Sequence, residues 1–406
     1  MKSSWKALIW IAVSELFALS LWFSASVTAP ELINLWGAGP ETEAWLSASV
    51  PIGFVIGSFA SAYFGLADRY NPRIIFAVSA TLGAGFNGLI LLSEGTWSGM
   101  TLRILTGMTL AGVYPTAVKI LSLWFPKRRG LAIGILIAAL TLGSSLPHFI
   151  ALFFSALQWQ WIILSSSVLA VLSAGIIYFI LDDPPVATRN TPFSFSLLKK
   201  VRQNRPVMLA NYGYFGHMWE LYAMWTWLPV FLAASFQSHT GTVSPVLLAF
   251  CSFLTIGIAG AAGSVGGGWL ADKIGRSSLT ILSMGISSAC ALSIGFTYAQ
   301  PLWVTLTLSF IWGVFVISDS AQFSAGVTEF AESDYVGTAL TFQMCVGFLI
   351  TIFSINLIPY MQKLLGWEWV FSILAIGPLL GMLSMVKFKS YEVIKKKQPE
   401  HISKQA

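Results

Sequence analysis

Residues 65–73 read GLADRYNPR and residues 269–276 read WLADKIGR. Their shared core, Leu-Ala-Asp followed by a basic residue, returns after 204 positions. Two further echoes keep almost the same spacing. ELFALSLWF (Glu15–Phe23) comes back as ELYAMWTWL (Glu220–Leu228) at an offset of 205, and WQW (Trp159–Trp161) as WEW (Trp367–Trp369) at 208. Apolar helices resemble one another by composition alone, but that does not keep Glu, Asp and basic residues in register. Self-similarity at a long fixed spacing marks a duplicated chain.

Outward from these echoes the chain is mostly apolar. Hydrophobic residues make up 56% of its 406 residues and charged residues 10%, where soluble domains carry roughly 25% charge. Water solvates such a surface poorly, so the bilayer is the natural solvent. A crossing helix needs about 20 apolar residues. Such runs lie near 5–27, 44–64, 74–93, 99–123, 130–153 and 160–181, and again near 207–235, 244–270, 277–298, 302–328, 336–359 and 367–388. The sequence therefore predicts an all-α membrane protein with twelve transmembrane helices in two pseudo-symmetric six-helix bundles. Residues 1–181 form the first bundle and 207–390 the second. Residues 182–206, the one long polar stretch, form a central loop, and 391–406 a basic tail. The first run is full length and contains Glu15, so it reads as a retained helix and not as a cleaved signal.

Lys and Arg set the topology. With both termini in the cytoplasm, Lys2, Lys6, Arg69, Arg73, Lys127, Arg128, Arg129, Lys199, Lys200, Lys273, Arg276 and the lysines from Lys387 onward face inward, while the outer loops hold only Lys363. That is the positive-inside bias. The net charge of +6 is accounted for by this bias and does not point to nucleic acid. Cys251, Cys290 and Cys345 fall inside spans without metal-ligand spacing, so no metal or other cofactor is expected.

LADRYNPR and GGGWLADKIGR resemble the loop signature G-x-L-A-D-R-x-G-R-R that follows helices 2 and 8 of the major facilitator superfamily. Gly268, Leu270, Ala271, Asp272, Lys273, Gly275 and Arg276 fit it. In the first copy Phe64, Asn71 and Pro72 depart, while Asp68, Arg69 and Arg73 remain. Arg103 to Gly107 is similar to that superfamily's R-x-x-x-G element in helix 4. The run Gly112–His148 resembles the branch grouped with nitrate/nitrite and cyanate porters, although spans 2 and 8 lack the arginines that nitrate porters use there. The resemblance implies a multi-pass transporter in the cytoplasmic (inner) membrane of a bacterium, acting as a monomer on a small solute by alternating access. It also implies a cytoplasmic gate latched by Asp68, Arg69, Arg73, Asp272, Lys273 and Arg276. Physically, Asp68 and Asp272 are placed to cap a neighbouring helix N-terminus, where the dipole favours an anion.

An ionisable side chain inside the membrane is costly and reads as functional by default. Here the set is Glu15, Arg103, Lys119, His217, Glu220 and Asp319, with His148 toward an outer end. The first six fall on spans 1, 4, 7 and 10, the cavity-lining helices of the superfamily. At about 1.5 Å per residue, Glu15, His217 and Asp319 lie about 15 Å deep and Glu220 about 20 Å. Glu15, Glu220 and Asp319 are thus candidate proton carriers facing one shared chamber, with His217 modulating them. Arg103, Trp22, Trp227, Tyr222 and Gln322 are the candidate substrate contacts, the aromatics by stacking on a flat or cationic solute.

These features predict a proton-coupled secondary transporter of a small organic solute, with protons, solute and lipid as its partners. A small-anion porter using Arg103, Lys119 and His217 is the second reading, and a non-transporting receptor or intramembrane enzyme the third. GAGFNG (Gly83–Gly88) matches a dinucleotide fingerprint, but no strand precedes it, so no nucleotide is expected. The glycines of Gly257–Gly268 are expected to pack helices closely.

Overall fold

The computed structural model describes residues 2–125, 129–154, 158–183, 195–332 and 335–397, which are helical with short connections and contain no strand. In hydrocarbon every backbone N–H and C=O needs an internal partner, which long helices supply. The twelve crossings are α1 (Lys2–Leu19, resumed at Ser24–Val27), α2 (Glu41–Phe64), α3 (Pro72–Gly88), α4 (Thr96–Trp124), α5 (Arg129–Ala151), α6 (Trp159–Ile180), α7 (Arg205–Thr240), α8 (Pro245–Ile274), α9 (Arg276–Thr297), α10 (Leu302–Phe330), α11 (Val336–Trp369) and α12 (Ile376–Lys397). Gly366, at φ 70°, marks the turn between the last two. With twelve crossings, the start of α1 and the end of α12 lie on one face, called here the terminal face.

Several runs that read as single spans are broken. α4 is interrupted between Leu110 and Tyr114, and α10 at Asp319. These breaks are repeat-related, since Asp319 stands 205 residues after Tyr114. α1 is interrupted at residues 20–23, where i to i+3 hydrogen bonds replace the α pattern. Its counterpart α7 runs unbroken.

Helix packing repeats with the sequence. In the first six spans α2 packs on α4, α3 on α4 and α6, and α1 on α5 and α6. In the second six α8 packs on α10, α9 on α10 and α12, and α7 on α11 and α12. The two bundles meet through α2 against α11 and α5 against α8, pairs that a two-fold along the membrane normal exchanges. Small residues permit the closest approaches, as predicted for span 8. A Cβ on Gly263 would lie 2.0 Å from the carbonyl oxygen of Val314, and one on Gly267 2.2 Å from that of Ser318. Gly260 and Gly257 seat Thr141 and Ser145 of α5 in the same way.

Candidate functional site

The break in α1 organises the centre of the molecule. Three apolar turns end at Leu19, and the chain then leaves carbonyls without helical partners. Arg103 of α4 supplies donors. Its Nη1 donates to the Leu21 oxygen at 2.8 Å and its Nη2 to the Trp22 oxygen. Asn87 of α3 accepts from Ser24 at 2.6 Å and donates to Ser167 of α6 at 3.0 Å and the Ile163 oxygen at 3.2 Å. Arg103 is wholly buried and lines neither the central chamber nor the outer cavity described below, so the expected substrate contact is instead the cap that holds the α1 break. Asn87, overlooked inside the nucleotide-like GAGFNG run, belongs to the same cap. A lone amide in an apolar span was the available signal.

Trp22 sits in this break. With Phe54, Tyr222 and Phe348 it forms a cluster with centroids 4.4 to 5.7 Å apart, drawn from α1, α2, α7 and α11. These four roof a chamber of about 50 Å³ whose walls include Leu19, Tyr114, Tyr214, Ser320 and Ser324. Trp22 and Tyr222 are thus on the wall. Trp227 is not: its indole N–H donates to the Ile355 oxygen at 2.9 Å and ties α7 to α11. Gln322 is buried on α10, and the neighbouring Ser320 and Ser324 take the wall instead.

The expectation that Glu15, Glu220 and Asp319 face one water-filled chamber is not met. All three are buried, with 0, 2 and 2% exposure, and none is on the chamber wall among the described residues. The cause is helix geometry. α7 turns Tyr214, Met218, Leu221 and Tyr222 inward. His217 and Glu220 each precede a wall residue by one, which swings them roughly 100° around the helix. His217 Nδ1 lies 2.9 Å from Asp319 Oδ1, both side chains almost fully buried. The contact has ion-pair distance without hydrogen-bond alignment, and His217 Nε2 lacks a partner. Glu220, one turn on, accepts from Ser287 Oγ at 2.7 Å and from Trp312 Nε1 at 2.8 Å. Those two donors were not foreseen, because a serine and a tryptophan in apolar runs carry no signal of their own.

Glu15 differs. It shares a helix face with Leu19 and Trp22, one turn closer to the terminal face, and interacts electrostatically with Tyr114 of the chamber wall. Neither of its oxygens has a hydrogen-bond partner, an expensive state for a buried polar group.

The structure therefore places the His217–Asp319 pair, Glu220 and Glu15 behind a central chamber between duplicated bundles. The family model of the Major Facilitator Superfamily matches residues 11–355 and again 257–405. The chain belongs to the major facilitator superfamily. Among similar proteins, the niacin transporter NiaP of Acinetobacter baylyi is 25% identical over 346 residues, 74% of this chain and 75% of its own length. A putative niacin/nicotinamide transporter of Bacillus subtilis is 23% identical over 367 residues, 86% of each chain. Solved structures of the nucleoside transporter NupG and of the xylose transporter XylE from E. coli superpose with a TM-score of 0.72 each. They cover 94 and 95% of this chain and 99% of theirs, at 12 and 16% identity, and establish likeness of fold. The protein is a membrane transporter and not an enzyme.

The superfamily's loop residues lie on the terminal face, and each described loop is tied within its own bundle. Arg73 donates to the Ile177 and Tyr178 oxygens at 3.1 and 2.7 Å and pairs with Asp183 at 2.8 Å, closing the end of α6. The Asn71 amide and the Arg73 guanidinium hold the Asp183 carboxyl below its ordinary value. Arg276 pairs with Glu329 of α10, and Glu392 of α12 accepts from the backbone N–H groups of Arg276 and Ser277 at 3.3 and 3.2 Å. The anion capping α9 is therefore Glu392 and not Asp272, which is exposed. On α3 the cap is Asn71, which accepts from the Arg73 N–H at 2.9 Å; the Asp68 side chain lies outside the described residues. Lys273 stands over the Trp269 ring at 3.5 Å, and Arg69 is exposed. The correction follows from α12 continuing to Lys397, beyond the predicted span end, which carries an acid to the α9 N-terminus.

Proposed function

We propose that this transporter moves a small, flat organic solute across the cytoplasmic membrane by alternating access, coupled to protons through its buried ionisable groups. The observation that carries the reading is the His217–Asp319 pair behind the chamber wall. Asp319 sits at the break of α10, directly before Ser320 of the wall, and His217 directly before Met218. A proton delivered there neutralises Asp319 and frees His217, which loosens α7 from α10. Solute in the chamber meets the rings of Trp22, Tyr222 and Phe348 on one side and the hydroxyls of Ser320, Ser324 and Tyr214 around it. Aromatic walls with a few polar groups suit a planar heteroaromatic molecule. Names of the relatives make niacin and nicotinamide the first solutes to try.

In this reading residues 1–181 and 207–390 are the two rocking bundles, 182–206 their tether and 391–406 the basic tail. The terminal face is cytoplasmic, following the Lys and Arg bias, and one chain suffices. The small-anion reading loses ground, since Arg103 is engaged by α1 carbonyls and His217 by Asp319.

The test is uptake into proteoliposomes of radiolabelled solutes, with and without an imposed pH gradient, for the wild type and Asp319→Asn. Gradient-driven accumulation by the wild type, lost in Asp319→Asn while solute exchange persists, is the expected result. Accumulation that ignores the gradient, or that Asp319→Asn leaves intact, overturns the coupling.

A further inference from the structure

A second cavity, larger than the central chamber, lies apart from it. About 320 Å³ opens between the bundles on the side away from the termini. Its wall joins the start of the Ala29–Trp36 helix, the first turn of α2, the end of α5, the start of α6, α7 and the start of α8. From the sequence, His148 lay toward an outer end, and span 2 began at residue 44, one position after Glu43.

The wall chemistry has a definite sign. Glu31, Glu43 and His148 are its titratable groups, and no Lys or Arg is among the residues that line it. Large rings come with them, Trp225 and Trp159 foremost. Several polar atoms of the residues that line it have no protein partner. The Trp225 indole N–H, the Thr226 hydroxyl and Glu31 Oε2 are all buried without a hydrogen bond, and the Trp225 and Thr226 residues are 1 and 8% exposed. Buried donors and acceptors left open inside a protein ask for a partner. Here a partner must fit among aromatic faces and answer two carboxylates.

We propose that this cavity is a second binding site, specific for a small organic cation bearing a protonated amine and an apolar body. The ammonium sits toward Glu31 and Glu43, where charge-assisted hydrogen bonds are strongest. The apolar body lies against Trp159 and Trp225, whose faces also attract cations. The volume exceeds what a phenethylammonium ion needs. The site is separated from the chamber by rings: Trp225 packs edge-on against Tyr222 at 5.3 Å, and Tyr222 belongs to the chamber roof. Occupancy therefore bears on the same roof that closes the chamber.

The inference concerns binding to the resting protein and stands apart from proton coupling. The experiment is equilibrium binding of phenethylammonium to the full chain in lipid nanodiscs at pH 7, compared with phenethyl alcohol, its neutral analogue. The cation is expected to bind at least tenfold more tightly than the alcohol. Glu31→Gln with Glu43→Gln is expected to erase that preference, while Asp183→Asn on the terminal face leaves it unchanged. Equal affinity for cation and alcohol overturns the proposal, as does a wild-type preference in the double variant or no binding of the cation at all. Where the double variant does not purify as a single species, Glu31→Gln and Glu43→Gln are read singly, and each must lower the preference.

Discussion

α1 and α7 carry the same words of sequence and live in different surroundings. Glu15 and Glu220 stand 205 residues apart in matching segments, and Trp22 and Trp227 seven positions further on. Glu220 receives two hydrogen bonds, and Glu15 none. Counting back by the same offset from Ser287 and Trp312 lands on Leu82 and Gly107, neither of which has a side-chain donor. α1 is broken and capped by Arg103, whereas α7 is continuous and the residue 205 beyond Arg103 is Leu308. Duplication supplied identical parts. The neighbouring helices then made one glutamate a fixed hydrogen-bonded strut and left the other unpaired beside the chamber.

The largest effect that tests this contrast is at Arg103. Arg103→Leu strips the α1 break of both guanidinium hydrogen bonds, which at about 1.5–3 kcal/mol per charged bond costs about 3 kcal/mol or more. A large fall in thermal midpoint is expected in detergent, with Arg103→Lys recovering only part of it because an ammonium cannot serve two carbonyls as a fork does. A midpoint within a degree or two of wild type would show that the break does not depend on the cap.

Next are the glutamates. In Glu220→Gln one new N–H faces the donors of Ser287 and Trp312, so a loss of about 1–3 kcal/mol is expected. Glu15→Gln removes no hydrogen bond and should stay within about 0.5 kcal/mol of wild type. Measured by denaturant unfolding, equal losses at the two sites would erase the distinction between strut and unpaired group.

The tryptophans separate more finely. Trp22→Ala should weaken solute binding at least tenfold, since it opens the chamber roof. Trp227→Phe keeps a ring and loses one interhelical hydrogen bond, worth about 0.6 kcal/mol in membrane proteins. Its solute affinity should match wild type in a binding assay. Loss of affinity in both would place both rings on the solute path.

The smallest effect lies on the terminal face. Asp183 is held below its ordinary value by Asn71 and Arg73, so its contribution is present above the unfolded carboxylate range and is lost as pH falls through the lower folded value. The carboxyl is mostly exposed, which limits the effect to at most about 0.5 kcal/mol. Asp183→Asn should thus fall slightly behind wild type at pH 6 in unfolding midpoint, and the gap should close as the pH is lowered through the folded value.

Much of this architecture was legible in the chain. Apolar length, the offset near 205 and the distribution of Lys and Arg are local or statistical properties, and they specify twelve crossings in two related bundles before any contact is known. The direction of a side chain around its helix is another matter. His217 and Glu220 miss the chamber by one position each, a rotation that only the packing of α7 on α11 and α12 sets. Partners decided the rest. Arg103 meets carbonyls more than eighty residues away, Glu220 meets Trp312, and Arg276 meets Glu329 and Glu392. Hydrophobicity along a chain states which residues must leave water, because burial is a property of the segment. Which polar groups then satisfy one another depends on distances between segments, and those exist only once the helices are packed.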